Sequence, residues 1–203
     1  MTENTLRRWG AILTTGGLLQ TVAYLFYPDS ARASTIRPAA AIALLGLCLA
    51  LPGLVAFGRG LAAGAPRTGW TGVTLVVLSL AALEIPHLVL GLFAPHRLYD
   101  LDAYHSGVFG QMAFYALMTL ALGLVVLAVA AWRSPAFGRA ASWLIVANLV
   151  ISTICNSVPA LADALHTPAP SYLLVAALGM TMIHTAGSRP ATTTRQPATT
   201  AAA

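Results

Sequence analysis

Lysine is absent from this chain, acids are scarce, and cysteine occurs only twice. Eleven arginines face six Asp and Glu, and charged residues make up 8% of the 203. A soluble domain carries about 25% charged residues, so the composition excludes an ordinary water-soluble globule. Arginine in place of lysine, with abundant alanine, reflects GC-rich coding rather than chemistry. Cys48 and Cys155 sit far apart inside apolar runs, with no CxxC spacing. That excludes a disulfide framework and a thiolate metal site, and predicts two buried free thiols. The net charge of +5 would suit a nucleic acid only if it were gathered in one patch. The arginines instead stand in pairs at the ends of apolar runs, so no nucleic-acid partner is expected.

What the chain has is hydrophobic length: 58% of residues are hydrophobic and the mean hydropathy is +0.77. Six apolar segments follow in order, at about 10–27, 38–57, 70–93, 107–132, 140–158 and 171–184. At roughly 20 residues per crossing, these predict an all-α, six-helix transmembrane bundle over 1–186, multi-pass in the plasma membrane. The tail, 187–203, is rich in Thr, Ala and Pro and reads as disordered. A cleaved signal competes for the first segment, because Ala31-Arg32-Ala33 resembles a small-residue cleavage site. The apolar run is longer than a signal core, however, and Tyr24, Phe26 and Tyr27 look like an interfacial belt. Arg7-Arg8 reads as a topology anchor. Residues 59–69 and 133–139 read as loops, and the Gly60-to-Gly64 spacing, placed in such a loop, has little packing value. Pro38 suits a first helical turn.

Arginine placement predicts orientation. Arg7, Arg8, Arg59, Arg67, Arg133, Arg139, Arg189 and Arg195 fall on one side, and only Arg32, Arg37 and Arg97 on the other. The positive-inside rule then puts both termini in the cytoplasm. Five of the six acids and four of the five histidines collect on the outer side, leaving Glu3 and His184 inside.

The third segment organises this asymmetry. Glu84, Pro86 and His87 interrupt an otherwise apolar span. An ionisable residue in a span costs roughly 2.5–3.5 kcal/mol on insertion scales, so it turns toward protein or water. Glu84 and His87, three apart, share a helix face. At 1.5 Å per residue they lie about 14 Å and about 9 Å below the outer end. Gln111 and Tyr115 on the fourth segment, Gln20, Tyr24 and Tyr27 on the first, and Asn148, Ser152 and Asn156 on the fifth form three further polar stripes. The expected geometry is an outward cavity with Glu84 near its floor. Each feature also has a plain structural reading. Such residues hydrogen-bond neighbouring helices, Glu84 and His87 can pair with each other, and Tyr99, Tyr104 and Tyr172 suit the interface.

Three classes of function fit. In the first, an enzyme acts on a lipid-like substrate. A carboxyl group among apolar side chains is cheaper as the neutral acid than as an ion. Such an acid can protonate an alkene or epoxide, with Tyr24, Tyr115 and Phe114 offering aromatic faces to the cation. His87 can take the last proton. With a Glu inside a helix, in an all-helical chain of this length, the protein resembles the small bacterial integral-membrane terpene cyclases. The resemblance lies in architecture and implies an isoprenoid substrate, membrane lipid surroundings, no cofactor, and a pathway prenyltransferase or other subunit as partner. No family motif matches, so no catalytic residue is carried over. In the second class, His96, Asp100, Asp102 and His105 of one connection, with Glu84 and His87 nearby, hold a divalent metal or a haem. No HxxxH or HExxH spacing supports it. In the third, Glu84 relays protons in a transporter or accessory subunit.

Overall fold

The computed structural model describes residues 1–26, 33–95, 108–157 and 169–188. Among these, every regular element is a helix: α1 (Glu3–Phe26), α2 (Ala33–Ala62), α3 (Pro66–Phe93), α4 (Val108–Arg133), α5 (Gly138–Ser157) and α6 (Ala169–Gly187). Each predicted apolar segment corresponds to one helix. Four stretches are long and apolar enough to cross a membrane: Ile36–Ala62, Pro66–Phe93, Gly110–Arg133 and Ala169–Gly187. The described apolar part of α5, Gly138–Ile154, is shorter, and α1 is diluted by glycine, threonine and its charged start.

The helices run past the ends that polar residues suggest. Thr2 accepts the Thr5 amide on its hydroxyl and Leu6 on its carbonyl, so α1 begins at Glu3, where Glu3 and Arg7 pair at 3.5 Å. α2 continues through Arg59 and Gly60 to Ala62, and its start at Ala33 leaves Pro38 and Pro52 inside it. Pro38 is therefore an interior residue, not a first-turn one. α3 opens on Pro66, where a missing N–H costs nothing, and continues through Pro86 to Phe93. Neighbouring helices in a bundle accommodate such prolines. Between α4 and α5 the chain turns tightly. Ser134 donates its amide to Ala130 and accepts that of Ala136, and Gly138 takes φ 66°, which favours a residue without Cβ.

Each helix packs on its neighbours in sequence, and α6 returns to α1, so the six close into a ring; α2 also touches α4 and α6 and lies nearest the centre. Contact pairs show that neighbours are antiparallel. Gly16 meets Ala50 and Gly53 meets Leu13 across α1 and α2, while Gly10 meets Gly179 and Gly17 meets Ala176 across α1 and α6. A Cβ on Gly16 would come within 2.6 Å of the Ala50 nitrogen, and one on Gly17 within 2.6 Å of the Ala176 nitrogen. Adjacent glycines thus let α1 approach a helix backbone on both flanks, the small-residue packing of membrane helices. Thr14 and Thr21 reach across the same seam to the Ala176 and Ala169 carbonyls.

The two ends of the ring differ. Trp9, Trp70, Trp132 and Trp143, all the tryptophans of the chain, lie toward the end where α1, α3 and α5 begin. There the interior is mostly apolar: Phe57 and Phe137 stack at 4.8 Å in a core that includes Leu6, Leu61, Leu127 and Met182. Gly60, part of α2 rather than of a loop, meets the Phe137 ring, so it has the packing role that a loop position would deny it. Outside, Arg139 lies over the Trp132 ring at 5.2 Å, and Trp132 meets Trp143 edge-on at 6.2 Å. The described tyrosines, Tyr24, Tyr115 and Tyr172, belong to the other end. Cys48 is exposed on α2, correcting the expectation of a buried thiol. The 189–203 tail, Tyr27 and the Cys155 side chain lie outside the described residues.

Candidate functional site

The interior of the tyrosine end is built by α1, α3 and α6. On α1 the inward face is set by the packing of Gly16 and Gly17, which leaves Leu13, Gln20 and Tyr24 pointing between α2 and α6; all three are buried. On α6, Tyr172 lies one turn from Ala176 on the face against α1 and is buried too. The Tyr24 and Tyr172 rings stack nearly parallel, 5.6 Å between centroids and 4° between planes. Against them comes Glu84 of α3, half-buried. The Tyr24 hydroxyl donates a hydrogen bond to Glu84 Oε2. The Tyr172 hydroxyl stands beside the same carboxyl, outside full hydrogen-bond geometry. The carboxyl group is thus held in the ring by residues from the first, third and sixth helices. His87, one turn toward the tyrosine end of α3, is half-buried.

A second polar group adjoins through α6. Asn148 Nδ2 donates to the Ser171 carbonyl at 3.4 Å, the Ser152 hydroxyl donates to Asn148 Oδ1 at 3.2 Å, and the Ser152 and Ser171 hydroxyls meet at 2.9 Å. These bonds tie α5 to the start of α6, immediately before Tyr172. One turn below Tyr24, Gln20 is 0% exposed, and neither Nε2 nor Oε1 has a partner among the described residues.

Of the residues singled out from sequence, Glu84 and Tyr24 come together on the inside, with Gln20 one turn below Tyr24, His87 one turn from Glu84, and Asn148 and Ser152 at the α5–α6 seam. Gln111, Phe114 and Tyr115 do not. All three are exposed, Tyr115 at 68%, with its ring edge-on to Phe114 at 5.8 Å. The reason is the register of α4. Its buried positions, Ala116, Gly123, Leu124, Leu127, Ala128, Ala130 and Ala131, share one side of the helix, and Gly123 and Leu127 pack on α3. Gln111, Phe114 and Tyr115 fall outside that side and are exposed, so a catalytic place for Tyr115 and a wall made of Gln111 and Phe114 are corrected. Tyr172 corrects the reading in the other direction: it is an interior residue stacked on Tyr24, not an interfacial aromatic. Its i, i+4, i+7 relation to Ala176 and Gly179, which form the small-residue face of α6, is the signal that marks it. Ser171 was likewise missed.

The Asn156 side chain and the residues His96, Asp100, Asp102 and His105 lie outside the described residues. Among the described residues no three His, Cys, Asp or Glu gather as a metal-binding group. No protein-family model, curated protein or solved structure matches the chain. Function is therefore argued from the site alone.

Proposed function

We propose that this is a six-span integral membrane protein with both termini in the cytoplasm, and that Glu84 is an acid that initiates isomerisation or cyclisation of an isoprenoid or similar alkene lipid. Four helices with the length and composition of spans support the membrane reading, as do eight arginines against three and the tryptophans at the arginine-rich end. Helices α1, of 24 residues, and α5, of 20, are each at least about 30 Å long at 1.5 Å per residue, enough for a hydrocarbon core of about 30 Å.

One observation carries the chemical reading: the Glu84 carboxyl, inside the ring, accepts the Tyr24 hydroxyl and lies beside the stacked Tyr24–Tyr172 pair. The proton on the free carboxyl oxygen passes to an alkene carbon. The alkene π pair becomes the new C–H bond and the neighbouring carbon becomes a cation. The Tyr24 hydrogen bond strengthens as the carboxylate forms, so it stabilises the state that proton transfer creates. The aromatic faces stabilise the cation, which closes on a second alkene. Loss of a proton to the carboxylate or to His87 restores neutrality, and product and substrate have the same formula. Tyr24 keeps the part expected of it from sequence, and Tyr172 takes the part expected of Tyr115 and Phe114.

The test is incubation of the purified protein in lipid nanodiscs with polyprenyl alkenes and epoxides, scored for a ring-closed product of unchanged mass. The wild type forms it, and Glu84→Gln, expressed at the same level, does not. Full activity in Glu84→Gln, or no isomer from any substrate in the wild type, overturns the proposal.

A further inference from the structure

We propose that Gln20 holds a hydroxyl group at the floor of the Glu84 site, through its amide N–H and C=O together. The inference rests on the reading of that region as a ligand site, but not on the reaction assigned to it. Gln20 lies one turn below Tyr24 on the inward face of α1, and none of its surface is exposed. Both polar atoms of its side chain lack a partner among the described residues. A buried amide without partners is costly, and nearly all such groups in native proteins are satisfied. The side chain has little freedom to seek a partner elsewhere. The α2 backbone presses on its stem, so that a Cβ added at Gly46 would meet Gln20 Cγ at 3.0 Å.

The amide dictates the chemistry of what it binds. Nε2 donates and Oε1 accepts, so a complete partner must both accept and donate. A ketone, ether or epoxide oxygen only accepts and leaves Oε1 unmet. An ammonium group only donates and leaves Nε2 unmet. An alkene does neither. A hydroxyl is the smallest group that satisfies both atoms, from a single oxygen. Two sources supply it: an internal water, or the alcohol end of an otherwise apolar molecule. Tyr24, one turn above on the same helix, puts such a hydroxyl on the Glu84 side of α1.

The chain has three glutamines, Gln20, Gln111 and Gln196, which makes the experiment direct. Protein labelled with 15N at glutamine alone, in a phosphocholine detergent that has no hydroxyl of its own, shows three side-chain amide signals. Gln20→Leu identifies one by its loss. If that variant fails to fold, Gln111→Asn with Gln196→Asn leaves Gln20 as the sole labelled amide. The expected result takes one of two forms. A cross-peak of nuclear Overhauser sign between the Gln20 amide and water identifies water as the source. A shift of the Gln20 signal with 1-dodecanol, at a concentration at least tenfold below any effect of dodecane, identifies an alcohol. A Gln20 amide that shows neither overturns the proposal. A protein that shows one of them yet yields no cyclised isomer overturns the reaction proposed above and leaves this inference standing.

Discussion

The two ends of the ring are organised in opposite ways. At the tryptophan end the inside is mostly apolar and the outside carries charge: Phe57, Phe137 and Leu61 pack within, while Arg59, Arg67, Arg133 and Arg139 stand outside. At the tyrosine end polar groups turn inward, Gln20, Tyr24, Glu84, Tyr172 and Asn148, while Phe93, Met112, Phe114 and Met118 are exposed. One end is arranged as a stabilised plug, the other as a site. Burying polar groups costs free energy that apolar packing would have returned. The tryptophan end buries only the small hydroxyls of Ser134 and Ser142, the latter donating to the Ala128 carbonyl; the tyrosine end buries larger polar groups, and Gln20 has no partner among the described residues.

Substitutions can break this contrast. The largest stability effect belongs to the plug. Phe137→Ala removes a ring stacked on Phe57 and facing Gly60 and should cost about 3–5 kcal/mol. Thermal unfolding in detergent would measure it, and ligand binding by the remaining folded protein should be unchanged. Glu84→Gln should do the reverse, removing turnover while thermal stability moves by no more than about 1–3 kcal/mol, the scale of a lost buried hydrogen bond. Tyr24→Phe keeps the stacked ring and deletes only the donor. Turnover should fall by about tenfold or more, in line with about 1.5–3 kcal/mol for a hydrogen bond to a charged group, with stability nearly intact. The smallest effects belong to the outer surface. Tyr115→Ala and Arg59→Ala should each leave stability within about 0.5 kcal/mol and leave turnover unchanged. A Tyr115→Ala variant as inactive as Glu84→Gln would show that the site extends outward across α4.

The architecture was legible wherever length of apolar sequence decides it, and six runs correspond to six helices. Helix ends were not, because arginine, glycine and proline read as loop residues in water. In a bundle, α2 carries Arg59 on its exposed side and Gly60 against Phe137 without ending. The site was legible on α1 and α3, where a few polar residues stand out and one turn links Gln20 to Tyr24. It was misread on α4, because a helix that is apolar on every side has no hydrophobic face to locate its interior. There the small residues carry the information. Gly123 shows which side of α4 meets α3, as Gly16 and Gly17 do for α1 and Gly179 for α6; counting from them puts Phe114 on the far side of α4 and Tyr172 on the inner side of α6.

Because α1 is clasped by α2 on one flank and α6 on the other, it is fully housed only after α6 has been made. A ribosome has threaded in Glu84 and Tyr24 long before Tyr172 exists, and until that last helix arrives the first has an open flank. The contact of Glu84 with both tyrosines is therefore complete only once α6 is in place. A chain that stops before α6 leaves the α1 flank that carries Gly10, Gly17 and Thr14 uncovered.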